Sequence, residues 1–369
     1  MRKAIAELEP YLVEQDSSAV KLNQNESPYD IPASLKKAVL GCLARKRWNR
    51  YPVHPPSGLI EAIARHTGWT KEGIVVGNSS NEIILAIAQT VCAAGDRMVV
   101  VSPGFPMYPR VGRILGLKIM EVPLSEDFEF DVKAIIEAAR KAALIILASP
   151  NNPTGTALRS EQILDLAQHI EGTLVIDEAY HDFHQRNSQK LLKSHANLLI
   201  IRTLSKAFSL AGARIGYLLA GPEIAKIIEN VKLPFSVGLF QQVVGSLIMK
   251  NRSFREKFVR RIIQERKRVH AELKKIPGIS PVPSRANFIL FKIQKRRAQD
   301  VCEALHRHDV LVRSFDHPRL RNALRVTIGT QRENKIFLKT LRKVKEESGM
   351  REGPIMMSDL KSDLLIRGL

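Results

Sequence analysis

The sequence predicts an α/β protein with a mostly parallel central sheet and a second, smaller α/β unit. From about Gly73 to Leu219, short apolar runs alternate with helical patterns, which is typical of parallel sheets with crossover helices. The runs are GIVVG, RMVVVSP, LKIMEV, ALIILASP, TLVIDEAY, LLIIRT and RIGYLLA. After a long basic helix the order becomes strand, helix, strand, strand, helix over NFILFKI, AQDVCEALHRH, VLVRSF, ALRVTIG and NKIFLKTLRKVKEE.

These patterns divide the chain into three predicted parts. We expect a large domain over residues 36–250. A small domain is expected from residues 251–348 together with residues 1–35, which begin as an N-terminal arm. Residues 349–369 contain Gly349, Gly353 and Pro354 near their start and are expected to form a tail.

The composition fits a globular chain of 369 residues, with 44% hydrophobic residues and an ordinary core. The three cysteines are far apart and form no CxxC motif, and neither a signal-peptide pattern nor a membrane-spanning apolar run is visible. We therefore expect a soluble cytoplasmic protein with no bound metal and no membrane partner.

The formal net charge of +20 comes from 57 basic and 37 acidic residues, and it suits nucleic acid, membrane phosphates or small anionic substrates equally well. The densest basic stretch, from Phe254 to Lys275, carries apolar residues at helical spacing, which indicates one solvated face of a helix. Zinc-finger spacing and the aromatic signature of RNA-binding sheets are both missing from the sequence. Nucleic-acid binding is therefore not expected.

The first informative strand ends in GNSSNEII, where Gly77 precedes small polar residues and then an amphipathic helix. The free N–H groups and the dipole at a helix N-terminus suit a phosphate group. Ser80 and Asn81 are the candidate ligands. An ordinary helix cap at Ser79 or Ser80 would produce the same residues, so this motif alone leaves both interpretations open.

Polar side chains also follow three later strands. Asn152 lies in the stiff turn of SPNNPTG, and Asp177 directly follows an apolar strand, where a carboxylate needs a cation or a hydrogen-bond donor. Tyr180 comes three residues later. Lys206 follows the strand LLIIRT, and Arg214 lies eight residues further on. A plain turn or a surface lysine would explain each residue taken singly.

Taken together, these strand ends offer one crevice a phosphate cradle, an amide, a carboxylate, a phenol, a lysine and an arginine. Pyridoxal 5'-phosphate needs that whole set: an amine for its aldehyde, a carboxylate for its ring nitrogen, and donors for its phenolate oxygen and its phosphate. The combination predicts this cofactor.

The chain resembles the fold-type I pyridoxal-phosphate aminotransferases of class I/II, most closely the histidinol-phosphate aminotransferases. The resemblance covers about residues 22–330, and the motifs occur in the family's order. They are LNQNESPYD, RYP, GNSSNEII, SPGFPMY, SPNNPTG, DEAY, TLSKAFSLAGARIGY, RANFIL, VLVRSF and LRVTIGT. The resemblance implies the pyridoxal-phosphate-dependent transferase fold and transamination of L-histidinol phosphate with 2-oxoglutarate in histidine biosynthesis. It also implies a homodimer with shared active sites.

The resemblance assigns roles to residues of this chain. Lys206 holds the cofactor covalently and moves the substrate proton, Asp177 partners the ring nitrogen, and Tyr180 and Asn152 donate to the phenolate oxygen. Phe105 stacks on the ring, and Tyr51 reaches the cofactor phosphate of the neighbouring subunit. The residues implied around the phosphate are Ser80, Asn81, Thr203, Ser205 and Arg214.

The sequence departs from the family pattern in three of these motifs. The family usually has GNGSDE where this chain has GNSSNE, so Asn81 replaces an acidic residue. Val53 stands where an acidic residue tends to follow RYP, and Phe105 replaces a more usual tyrosine. None of these changes removes a catalytic group, so we expect the activity to be retained.

The same motifs occur in enzymes that act on different substrates. Arg313 and Arg325 match two anion-binding positions of the family, and a pair of guanidinium groups favours a phosphate ester. Asn152 and Tyr108 are also expected to contact the substrate. An aromatic amino-acid aminotransferase and a threonine-phosphate decarboxylase of cobamide synthesis share most of the motifs. A noncatalytic, DNA-linked regulator would need an added winged-helix domain.

Overall fold

The computed structural model describes residues 3–6, 8, 10, 20–251, 253–294 and 296–349. The α-helices in this part of the chain are α1 Lys3–Ala6, α2 Ala33–Ala44, α3 Ser57–Thr67, α4 Ser79–Val91, α5 Met107–Leu115, α6 Val132–Ala139, α7 Ser160–His169, α8 His181–His184, α9 Pro222–Val231, α10 Leu239–Lys250, α11 Ser253–Lys274, α12 Ala298–His306 and α13 Gln331–Gly349.

The strands in the same part are β1 Val20–Lys21, β2 Ile74–Asn78, β3 Arg97–Ser102, β4 Lys118–Pro123, β5 Leu144–Ala148, β6 Thr173–Asp177, β7 Leu198–Thr203, β8 Ile215–Leu219, β9 Ile279–Pro281, β10 Phe288–Ile293, β11 Val310–Leu311 and β12 Ala323–Thr327. Short 3₁₀ helices are Lys71–Gly73, Gln189–Lys193, Ala211–Ala213 and Pro318–Leu320.

A seven-stranded sheet forms the centre of the molecule, with strand order β2-β8-β7-β6-β5-β3-β4. Strand β8 runs antiparallel to both of its neighbours, and the remaining neighbouring strands are parallel. The predicted α/β class with a mostly parallel central sheet is confirmed. Strands β5, β7 and β8 are buried along their whole length, as expected where helices cover both faces of a sheet.

The hydrophobic core lies on both faces of this sheet. Successive residues of β5 alternate between the two sides: Ile145 and Leu147 join one cluster, and Leu144 and Ile146 join the other. This period of two is the geometry of a strand. The apolar runs that predicted buried strands therefore supply the core on both faces.

The parallel direction brings several strand ends to one edge of the sheet. Asp177, the last residue of β6, pairs with Ala148 at the end of β5 and with Ile201 in β7. Strand β7 ends at Thr203, and β2 ends at Asn78, where α4 begins. In open α/β sheets this edge is where ligands bind.

A three-stranded antiparallel sheet of order β12-β10-β9 packs with α11, α12 and α13 in the second part of the chain. Strand β1 pairs in parallel with β11, so the N-terminal segment joins this part. The predicted strand VLVRSF is shorter than expected. Val310 and Leu311 pair with β1, whereas Arg313 pairs instead with Arg325 through an isolated bridge, and this change of partner ends the strand.

The predicted domain limits at residues 36 and 251 stay predictions. Of the predicted tail 349–369, residue 349 ends α13, and residues 350–369 lie outside the described residues. Within the described ranges no helix combines the length and the hydropathy needed to cross a membrane.

Candidate active site

A cleft of about 210 Å³ opens at the edge where β2, β5, β6 and β7 end. It brings together thirteen of the fourteen residues assigned from the sequence. They are Ser80, Asn81, Phe105, Tyr108, Asn152, Asp177, Tyr180, Thr203, Ser205, Lys206, Arg214, Arg313 and Arg325.

Asp177 provides a buried carboxylate at the floor of the cleft. The residue is 4% exposed, and Tyr108 Oη donates to its Oδ2 at 2.8 Å while the Ala179 N–H donates to its Oδ1 at 3.0 Å. Burial raises the pKa of Asp177 to about 6, although the hydrogen bond from Tyr108 opposes the shift. A cationic group bound nearby would stabilise this carboxylate in its charged form.

Lys206 follows β7 and places its amine in the same cleft. Its Nζ donates to the Gln24 carbonyl at 3.2 Å and lies 5.9 Å from the centroid of the Tyr180 ring. Burial, followed by the charge of Arg325, lowers the pKa of Lys206 to about 8. Near neutral pH a measurable fraction of this amine is therefore unprotonated and nucleophilic.

Arg325 lies on β12 and closes the cleft from the side of the second sheet. Its guanidinium donates to Asn152 Oδ1 at 2.5 Å and to the Asn23 carbonyl at 2.6 Å. The side chain packs between the rings of Phe288 and Phe315, with centroid distances of 5.3 and 5.6 Å. These contacts hold a buried cation in one orientation, which suits recognition of an anion.

The helix α4 begins at the cleft and directs its N-terminus there. Asn78 is the N-cap residue and makes no side-chain capping hydrogen bond, so neither Ser79 nor Ser80 is the cap. The Ser79 N–H donates to the Arg214 carbonyl at 3.0 Å, which fixes the loop after β7 against the start of α4. The positive end of the helix dipole at this position favours an anion.

Thr203 and Ser205 support the same loop. The Ser205 N–H donates to the Thr203 hydroxyl at 3.1 Å, and that hydroxyl lies 3.1 Å from the Ile215 carbonyl. The Thr203 hydroxyl is thus used within the loop. Its predicted contact with a phosphate group stays a prediction, as does that of Ser205.

Tyr51 is the one assigned residue that does not line the cleft of its own chain. It is 83% exposed and stacks on Phe235, with ring centroids 4.7 Å apart. Its predicted role was in a neighbouring subunit, so this position leaves that role a prediction.

One protein-family model matches most of this chain. The family model for aminotransferases of class I and II matches residues 17–341. The chain belongs to this aminotransferase family.

Individual relatives agree with that membership. This aminotransferase is 36% identical to the histidinol-phosphate aminotransferase of Chlorobaculum tepidum, over 93% of this chain and all of the relative. It is 37% identical to the enzyme of the same name from Thermococcus kodakarensis, over 95% of this chain and all of the relative. Among solved structures, the histidinol-phosphate aminotransferase of Sinorhizobium meliloti in complex with pyridoxal-5'-phosphate superposes with a TM-score of 0.87 at 25% identity. That match covers 94% of this chain and 98% of the other.

Six residues that line the aminotransferase cleft were not assigned from the sequence: Asn23, Gln24, Asn25, Ser79, Ala148 and Ala179. The first three belong to LNQNESPYD, which directly follows the pairing of β1 with β11 and continues into the cleft. The spacing of that motif gives no periodic signal, so only the fold shows which of its side chains point inward. Tyr108 lines the cleft and its hydroxyl donates to Asp177, a contact that was not predicted; its expected contact with the substrate stays a prediction.

Gly216 permits the close approach between β8 and the start of α4. A Cβ at this position would lie 2.2 Å from the Ser80 nitrogen and 2.4 Å from the Ser79 carbonyl carbon. We predict that Gly216→Ala displaces the helix N-terminus, because a backbone atom cannot yield as a flexible side chain can. Unfolding stability should fall by about 1–3 kcal/mol, and anion affinity should fall with it.

The measurements are thermal unfolding and a titration with the cofactor. Gly212→Ala is the matched control, since a Cβ there meets nothing within 4 Å. Equal behaviour of the two variants would contradict the steric argument.

Proposed function

We propose that this chain catalyses pyridoxal-phosphate-dependent transamination of L-histidinol phosphate with 2-oxoglutarate, giving imidazole-acetol phosphate and L-glutamate. The observation that carries the proposal is the pairing of Lys206, whose amine has a lowered pKa, with the buried Asp177 in one cleft at the strand ends. The names of the relatives support histidine biosynthesis as its setting. A cytoplasmic location stays a prediction.

The residues of the cleft fit pyridoxal 5'-phosphate. A carboxylate with a pKa of about 6 gains from a cationic partner such as a protonated pyridine nitrogen. The N-terminus of α4, together with Arg214, can hold a phosphate dianion. When bound, the cofactor supplies an aldehyde that captures amines and a ring that withdraws electrons from the substrate Cα.

The protein's own contribution starts with Lys206. Its amine would hold the cofactor, and the same amine would take the proton from the substrate Cα and deliver it to the carbon of the cofactor's aldehyde group. A pKa of about 8 suits both directions of proton transfer near neutral pH. Asp177 keeps the ring nitrogen protonated, and Tyr108 holds the Asp177 carboxylate in place.

Arg325 and Arg313 are the proposed anion-binding residues for the substrates. Their main chains exchange hydrogen bonds of 3.0 and 2.9 Å, so the two residues are fixed side by side at the cleft. Arg325, oriented by its hydrogen bond to Asn152, would bind an anionic group of either substrate at one position. That group is the phosphate of histidinol phosphate or a carboxylate of glutamate. Arg313 would add the second cation that a phosphate dianion requires.

We predict that Arg313→Ala weakens the use of histidinol phosphate far more than the use of glutamate. A hydrogen bond to a charged group is worth about 1.5–3 kcal/mol, so kcat/KM for the phosphate substrate should fall roughly tenfold to a hundredfold. Glutamate should change little. Steady-state kinetics of the two half-reactions give the measurement, with the exposed Arg307→Ala as the control. Equal losses for both donors would contradict the assignment.

A homodimer with shared active sites is part of the proposal. Several large apolar side chains are exposed on the described chain, among them Leu40 at 65%, Trp48 at 77% and Leu233 at 74%. Tyr51 and Phe235 stack beside one another at the surface. A partner subunit would bury such groups. In that dimer Tyr51 would reach the cofactor phosphate that the partner subunit holds.

The test of the substrate is a comparison of three amines. We expect kcat/KM to be highest for L-histidinol phosphate, with 2-oxoglutarate as acceptor. A higher value for L-phenylalanine would instead indicate an aromatic aminotransferase. Release of carbon dioxide from O-phosphothreonine would indicate the decarboxylase.

A further inference from the structure

Asn25 is a buried residue that joins the N-terminal segment to the phenol of Tyr180. It is 1% exposed, and its Nδ2 donates to Tyr180 Oη at 3.0 Å. Its φ of 55° lies in the left-handed region, which asparagine tolerates better than most residues. The backbone conformation and the polar contact therefore suit the same side chain.

The hydrogen bonds around Asn25 determine which end of its amide faces Tyr180. The Asn25 N–H donates to Thr327 Oγ1 at 2.9 Å, so this hydroxyl oxygen is an acceptor and its own proton can turn to Asn25 Oδ1 at 3.2 Å. Asn287 Nδ2 donates to the Asn25 carbonyl at 3.1 Å. With Oδ1 facing Thr327, the Nδ2 group faces the phenol and can only donate.

A phenol oxygen that accepts from Asn25 directs its own proton away from that bond. Tyr180 lines the cleft, and its ring is held edge-on to Phe288 at 5.1 Å between centroids. We propose that Asn25 is a positioning residue, which holds Tyr180 Oη as an acceptor and so directs the phenol proton toward the ligand bound in the cleft. The inference rests on the proposed function, since the receiving atom would be the oxygen on the cofactor ring.

The same contacts couple the reaction to docking of the N-terminal segment. Tyr180 follows β6 in the large sheet, whereas Thr327 ends β12 and Asn287 precedes β10 in the second sheet. Asn25 follows β1, which pairs with β11. The direction of one phenol proton therefore depends on three segments that meet at a single amide.

The test replaces the donor by an acceptor of the same shape. In Asn25→Asp, one carboxylate oxygen still accepts from Thr327, and the other now accepts the Tyr180 proton and draws it from the cleft. The measured quantity is the pH midpoint of the visible absorption band of the bound cofactor. A hydrogen bond donated by Tyr180 stabilises the more negative, deprotonated form of the cofactor. Loss of this bond should therefore raise the midpoint by about one pH unit, and Tyr180→Phe should raise it by a similar amount. We expect kcat to fall about tenfold or more, with a smaller change in KM.

The added charge of an aspartate would raise the midpoint by itself, so the variant is also made in the Tyr180→Phe background. The proposal requires a clearly smaller shift there, and equal shifts in both backgrounds would overturn it. A second pair keeps the test independent of the folding of Asn25→Asp. Thr327→Val removes the hydroxyl that orients the amide and should raise the midpoint in part, whereas Thr327→Ser should match the wild type.

An unchanged midpoint in Thr327→Val and in Asn25→Asp, with cofactor bound, would also overturn the proposal. Thermal unfolding of each variant separates these results from a loss of fold. Failure of the wild-type protein to bind pyridoxal phosphate would instead overturn the proposed function on which the inference rests.

Discussion

Lys206→Ala is expected to abolish steady-state transamination, with a fall in kcat of at least about 10⁴-fold. In the proposed function one amine both anchors the cofactor and moves the substrate proton, and general-base catalysis alone contributes typically 10²–10⁴-fold. The variant should still bind cofactor noncovalently, because Asp177 and the N-terminus of α4 remain. The measurements are turnover with histidinol phosphate and an absorbance titration with pyridoxal phosphate.

Lys190→Ala is the matched control, since this lysine is exposed and lies outside the cleft. It should behave like the wild type. Added methylamine should restore part of the activity of Lys206→Ala by supplying a small amine in the same cavity. Normal turnover by Lys206→Ala would contradict the role proposed for this lysine.

Asp177→Asn is expected to lower kcat by about 10²–10⁴-fold while the chain still folds. A neutral amide cannot keep the cofactor's ring nitrogen protonated, so removal of the substrate proton slows. The amide can still accept from the Ala179 N–H and donate to Tyr108, so both neighbours keep a hydrogen bond. Single-turnover kinetics with histidinol phosphate measure the step directly.

The same substitution, which lowers kcat, should raise the stability of the cofactor-free protein at high pH. The folded pKa of Asp177 is raised from 3.8 to about 6, so its favourable contribution is complete below pH 3.8 and is lost as the pH rises through 6. At pH 8 the asparagine variant should therefore be more stable, by up to about 3 kcal/mol. The difference should shrink below pH 6. A stability that is lower than wild type at pH 8, together with unchanged kcat, would contradict this account of Asp177.

Much of the fold was predictable because buried parallel strands leave an unambiguous signal. Apolar runs such as LIIL in β5 and LLII in β7 need both faces covered, and the structure covers both. The carboxyl ends of β6 and β7 then place Asp177 and Lys206 at one edge of the sheet. Local sequence could predict this because the direction of a parallel strand decides where its carboxyl end lies.

The remaining parts of the site depend on long-range pairing that a single sequence does not show. Asn25 contacts Tyr180, which is 155 positions away, and Thr327, which is 302 positions away. The Tyr108 hydroxyl donates to Asp177, 69 positions away, because helix α5 directs it toward the end of β6. Neither contact follows from periodicity, since both arise where separate elements meet.

The most direct test of the central claim is reduction of the purified protein with borohydride, followed by mass spectrometry of its peptides. The claim is that the cleft holds pyridoxal phosphate on Lys206. The account predicts one phosphopyridoxyl group per chain, on the peptide that contains Lys206, and its loss after prior incubation with L-histidinol phosphate. Labelling of another lysine, or no labelling of a protein that still transaminates, would contradict it.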